Sequence, residues 1–166
     1  MTKLFYASFA ILLLCFSMLM GGCVHQPLET HALVIARFLI EADATQTAIQ
    51  VTLPLSGVAI RVAPKPVITE FDITSVAEAQ VDLGRCVLFR LSNSAARDLY
   101  RLTATNIGQR LVLVLNGQPV GARVVDRPIE GGMLFIFLEL PDETLGQLVD
   151  DLNFTTGKVQ EEVARS

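Results

Sequence analysis

Apolar and polar positions divide the chain in two. Leu4 to Met20, LFYASFAILLLCFSMLM, is a run of 17 residues without a charge, with Lys3 the one basic residue ahead of it. Val24 to Thr30, VHQPLET, is short and polar, and beyond it brief apolar segments alternate with turn residues. Leu33–Glu41, LVIARFLIE, is rich in β-branched and aromatic residues and predicts a strand. Ala48–Leu53 alternates and stops at Pro54; Val58–Val62 alternates again after Ser56-Gly57. Val67–Val81 predicts a short strand, a turn at Asp72 and a second strand, and CVLFRL, Cys86–Leu91, predicts another. Ser92-Asn93-Ser94 has helix-start composition, and the following residues bring Ala95, Leu99, Leu102 and Asn106 to one face, with Gly108 expected at the C′ position. Arg110–Leu115 and Gln118–Val125 flank Asn116-Gly117, whose two residues tolerate the positive φ of a tight hairpin. Met133–Leu140, MLFIFLEL, predicts a further buried strand after the turn at Glu130-Gly131-Gly132. Pro141-Asp142-Glu143-Thr144 suits a helix start, with Leu145, Leu148, Val149 and Leu152 as the apolar stripe, and residues 156–166 predict a polar, frayed tail. Strand runs with two amphipathic helices predict an α+β domain, its sheet largely antiparallel and its helices on one face.

The apolar run has the layout of a secretory signal: a positive start, a greasy stretch, then small residues. It falls just short of the ~20 residues that span a bilayer, which leaves an uncleaved single-pass anchor as a second reading. Leu19-Met20-Gly21-Gly22-Cys23 resembles the lipobox of bacterial lipoproteins, with methionine where leucine is more usual. The resemblance implies cleavage between Gly22 and Cys23, acylation of Cys23, and a bond to membrane lipid through that residue. Several acyl chains give lasting attachment, at ~0.8 kcal/mol per buried methylene. The chain then divides into a signal peptide (1–22), a lipidated tether (23–31), a folded domain (32–155) and the tail (156–166). The tether is too short to carry the domain far from the membrane. In that family an aspartate after the cysteine favours the inner membrane; Val24 stands there, which points to the outer membrane, with the domain facing the periplasm.

Without residues 1–22 the chain holds twelve basic and seventeen acidic residues, a net charge of −5. That balance disfavours nucleic-acid binding. The charges are unevenly placed. Residues 85–127 carry seven arginines against Asp98 and Asp126, whereas 130–162 carry eight acids against Lys158. Arg97 and Arg101 are four apart on the first predicted helix; with Arg123 and Arg127 they form a candidate basic surface for an acidic partner or anionic lipid. The plainer expectation is solvated arginines pairing with Asp98, Asp126 and the acidic C-terminal block.

Candidate catalytic chemistry is thin. The histidines, His25 and His31, fall in or beside the tether, without the gathered ligands a zinc site needs, so no metal and no cofactor is called for. A serine triad would need a histidine on a rigid element. The pairs Asp142-Glu143 and Asp150-Asp151 read as solvated helix acids, though a hydrolase with two acids across a cleft stands as the alternative to a non-enzymatic module. Cys86, alone among hydrophobes, reads as an inert buried thiol. Gly131-Gly132 precedes a strand, whereas phosphate loops open helices, so it reads as a turn.

TATNIGQRLVLVLNGQPVGARVVDRPIEGG, Thr103 to Gly132, resembles the first periplasmic domain of SecD, a subunit of the bacterial protein-export machinery. The matched pattern is a helix ending in Asn106-x-Gly108-x-Arg110, a hydrophobic strand, the Asn116-Gly117 hairpin, a second strand, and Ile129-x-Gly131-Gly132. PKPVITEFDITSVAEAQVD upstream and LPDETLGQLVDDL downstream extend the likeness to residues 65–152, and more weakly to Leu33. VGAR at Val120 to Arg123 departs from the family's small residue, alanine and proline, and Met133–Leu140 is more hydrophobic than the family's strand. The resemblance implies the fold and a surface that contacts exported polypeptides or an envelope partner. It does not carry over proton-driven pulling, which needs membrane-embedded ionisable groups.

Overall fold

The computed structural model describes residues 30–165. The apolar run, Gly22, Cys23 and His25 lie outside the described residues. The chain divides into two units, 1–30 and 31–166, and the second holds all the strands and helices named below.

Among the described residues, eight strands and two α-helices make up the α+β arrangement expected, and every strand pairing is antiparallel. The strands are β1 (Ala36–Ile40), β2 (Ile49–Thr52), β3 (Ala59–Val62), β4 (Ile73–Val81), β5 (Gly84–Leu91), β6 (Arg110–Leu115), β7 (Gln118–Val124) and β8 (Met133–Ile136). The helices are α1 (Asn93–Thr105) and α2 (Leu145–Arg165). One sheet has the order β1-β6-β7, another β4-β5-β8, and β2-β3 form a separate ribbon.

The apolar run of β6 is explained by burial on both faces. Leu111, Leu113 and Leu115 enter the main core, which also takes Phe38 from β1, Val87 and Phe89 from β5, Ala95 and Leu99 from α1, and Leu145, Val149 and Leu152 from α2. Phe38 and Phe89 meet edge to face at a ring separation of 5.1 Å, the arrangement that the ring quadrupoles favour. On its opposite face the same sheet places Leu39 and Val112 under the ribbon, against Leu53, Ile60 and Val62. Asn116 (φ 48°) and Gly117 (φ 85°) make the predicted hairpin turn, and the Asn116 side chain also accepts the Ile35 N–H, at 2.8 Å.

The structure corrects the sequence reading at three element boundaries. Helix α1 begins as expected, with Ser92 Oγ accepting the Ala95 N–H. It stops at Thr105, where the Asn106 amide bonds back to the Leu102 carbonyl at 2.6 Å; Gly108 is therefore not the C′ residue but lies beyond it, donating its N–H to Val125 at the start of the β6–β7 pairing. The stretch Met133–Leu140 is not one strand. Its first half is β8, paired with β5; its second half leaves that sheet, and the Glu139 N–H donates to Val120 of β7 at 2.7 Å. The C-terminal stretch is not frayed: α2 runs through Arg165. Buried Thr155 accepts the Val34 N–H at 2.9 Å, and Gln160 Nε2 donates to the Ile73 carbonyl at 3.0 Å, so tertiary contacts hold the segment where composition alone does not.

Candidate interaction surface

The loop 126–132, between β7 and β8, is fixed at its middle and at its far end by residues whose chemistry dictates it. Buried Thr103 on α1 donates its hydroxyl to the Leu99 carbonyl and accepts the Ile129 N–H at 2.9 Å. At the far end Gly131 and Gly132 have φ of +67° and +64°, and a Cβ at Gly132 would stand 2.7 Å from the Ala96 methyl. The glycine pair is thus a turn, as expected, and Gly132 presses against α1.

The pinned loop stands between two grooves. The first, of about 520 Å³, runs along α1 and is lined by Asn93, Ala96, Arg97, Tyr100, Arg101, Glu130 and Gly131. The second, of about 450 Å³, opens beside β8 and is lined by Arg123, Arg127, Pro128, Ile129, Glu130, Met133 and Phe135. Arg97 and Arg101 therefore lie in one groove, Arg123 and Arg127 in the other, with Glu130 common to both. Sequence spacing joined Arg97 to Arg101 but missed Tyr100, Glu130, Met133 and Phe135; the exposed aromatic between two helix arginines was the available signal.

The arginines differ in how far they are committed. Arg110 forms a forked pair with Glu41, and the guanidinium's hydrogen bonds hold that carboxyl below the usual carboxylate range despite partial burial. Arg85 bonds Glu78 at 2.7 Å and the Asp142 carbonyl at 3.2 Å. Arg101 meets Asp98 only at 3.4 Å, with both side chains mostly exposed, which contributes little. Arg123 donates Nη1 to the Phe135 carbonyl at 3.2 Å and lies 3.7 Å from Asp126. Among the described residues, Arg97 and Arg127 have no ion-pair partner. The expected pairing with Asp98 and Asp126 is present; of the acidic C-terminal block, Asp142 accepts from Arg85 through its carbonyl, the Asp142 and Glu143 charges add a weaker attraction to the same guanidinium, and Glu130 shares both grooves with the arginines.

Strand β8 presents an edge to the second groove. The Leu91 N–H donates to the Gly132 carbonyl, which sets the phase of the ladder. Leu134 and Ile136 then turn their backbone groups to β5, and Met133 and Phe135 turn theirs away. No described strand pairs with that outer side. Arg123 caps the outward Phe135 carbonyl, and Met133 is 42% exposed.

The acidic pairs do not converge on either groove. Asp142 and Glu143 are exposed in the 3-10 turn ahead of α2, and Asp150 is exposed. Asp151 is a correction: it is buried rather than solvated. Burial alone would push its carboxyl up, but hydrogen bonds from Gln147 Nε2, the Ala32 N–H and His31 outweigh that and hold it below its ordinary value. His31 is likewise held rather than loose, stacked on Phe154 at 5.1 Å with Nδ1 3.3 Å from Asp151. Cys86 is buried as expected, and burial pushes its thiol up. Among the described residues no group of three or more His, Cys, Asp or Glu side chains is placed to hold a metal ion. No helix of the described residues is long and apolar enough to cross a membrane.

No protein-family profile matches the chain, and no curated protein matches it in sequence. Solved structures that share its fold include two of the same protein-export component. One is SecDF, described as a membrane component that enhances protein export: 19% identity, TM-score 0.55, over 76% of this chain and 63% of that one. The other is SecDF in a super-membrane-facing form: 19% identity, TM-score 0.56, over 74% of this chain and 19% of that one. The chain thus spans less than two thirds of either structure.

Proposed function

We propose that this chain is a lipid-anchored, non-enzymatic module of the bacterial cell envelope that contacts polypeptides through its grooved basic face. The observation that carries the reading is the pair of arginine-lined grooves on a SecD-like fold, where Arg97 and Arg127 are left without ion-pair partners among the described residues. Arginine with exposed aromatic and methionine side chains is the composition that protein-binding surfaces favour. The likeness to a component that enhances protein export supports exported chains, or an envelope partner that handles them, as what is contacted. The absence of converging carboxylates at the grooves weighs against the hydrolase alternative.

The anchor rests on the lipobox-like LMGGC sequence, with Cys23 acylated after cleavage at Gly22 and the domain held close to the membrane, the outer one by virtue of Val24. Two experiments test the proposal. Palmitate labelling in cells should be lost in Cys23→Ser, with unprocessed precursor accumulating; undiminished labelling rejects the anchor. A photo-reactive residue at Tyr100 should crosslink to a secretory protein arrested during export, and one at Leu55 on the ribbon's turn should not. Equal crosslinking at both rejects the grooved face.

A further inference from the structure

We propose that the outer edge of β8 is a strand-addition site: it takes an extended polypeptide carrying acidic side chains, which pairs with Met133 and Phe135 and sets a carboxylate against Arg123 and Arg127. The inference rests on the polypeptide-contacting reading above and gives it an address.

Three features of the molecule converge here. The first is backbone chemistry. Met133 and Phe135 point their N–H and C=O groups away from β5, and no described strand satisfies them. Such an edge is a template for another strand, and main-chain pairing of this kind supplies affinity with little demand on sequence. The second is shape. The edge borders a groove of about 450 Å³, walled by Pro128 and Ile129 of the pinned loop. The third is charge. Among the described residues Arg127 has no ion-pair partner, and Arg123 is bound to a neutral carbonyl and, loosely, to the exposed Asp126. Glu130 is the one carboxylate in the groove. An incoming N–H can take over the Phe135 carbonyl, which frees the Arg123 guanidinium for an acidic side chain. Charge complementarity therefore selects an acidic segment, and the alternation of side chains along a strand places every second residue toward the arginines.

The test uses the whole chain in detergent and a fluorescent peptide of about eight residues, alternating threonine and glutamate, long enough to cover a typical strand. It should bind, more weakly as salt rises, and a threonine–lysine counterpart should bind at least about tenfold less well. Two further peptides carry N-methyl groups on alternate residues. Methylation of the set facing β8 should weaken binding about tenfold, and of the other set less than about twofold, because only one set of N–H groups pairs with the edge. Arg127→Glu, an exposed change that leaves the ladder intact, should weaken binding about tenfold or more. Equal behaviour of the two methylated peptides, with Arg127→Glu as good as the parent, overturns the edge assignment while leaving contact with polypeptides standing. Binding of anionic vesicles with no binding of either peptide overturns both.

Discussion

The outer edges of β7 and β8 begin from similar chemistry and end differently. At β7, the segment after β8 runs alongside: the Glu139 N–H bonds Val120, and the Phe137 carbonyl packs so closely on Gly121 that any Cβ there would collide with it. The Glu139 carboxylate continues the seal by accepting the N–H groups of Leu55 and Ser56, each at 2.9 Å. At β8 no segment of the described residues arrives in the same way, and Arg123 covers a single carbonyl. One stretch, 133–140, makes both conditions by leaving its own sheet half way. Closing an edge takes a glycine and a switching strand; leaving one open inside an arginine-lined groove is an arrangement that suits an incoming chain.

The contrast between the edges can be broken first at the sealed one. Gly121→Val should destabilise the domain by about 3 kcal/mol in urea unfolding, since the new side chain must displace backbone rather than a flexible tip. Met133→Val at the open edge should stay within about 0.5 kcal/mol. Glu139→Ala removes one acceptor shared by two N–H groups and should cost about 1 kcal/mol, with faster hydrogen exchange confined to the ribbon's turn.

Acid should loosen the fold at sites remote from the open edge. Asp151 and Glu41 have carboxyl groups held below their ordinary values in the folded chain. Each binds a proton more readily when unfolded, so its contribution is fully present above the unfolded value of about 4 and is lost as pH falls through the lower folded value. Unfolding midpoints measured between pH 7 and 3 should therefore drop at the acid end, and Asp151→Asn should make the drop shallower.

Where local chemistry decided the structure, the sequence was readable. RLVLVL-Asn116-Gly117 announced its hairpin because the turn needs positive φ at both residues, and Ser92 announced α1 because its hydroxyl caps the first turn. Tertiary contacts decided the rest. MLFIFLEL is apolar throughout, and nothing in its pattern marks the change of sheet at Phe137; the signal lies far away, in the missing side chain of Gly121. The polar composition of residues 156–166 suggested a tail, whereas Gln160 and the neighbouring Thr155 spend their polar groups on the backbone at Ile73 of β4 and at Val34, just ahead of β1. Arg97 and Arg101 were visible as a pair, but their relation to Arg123 and Arg127 depends on the intervening loop, which Thr103 and the packing of Gly132 on Ala96 hold in place.

Arg127→Glu, like Met133→Val, should leave the unfolding free energy within about 0.5 kcal/mol of the parent.

Residue-resolved hydrogen exchange tests the contrast of the two edges most directly. In the free chain the Met133 and Phe135 amides should exchange fast while the Glu139 amide is protected, and addition of the acidic peptide should slow the first two by about tenfold or more without changing the third. Slow exchange at Met133 and Phe135 before any peptide is added, or no slowing after it, would contradict the account.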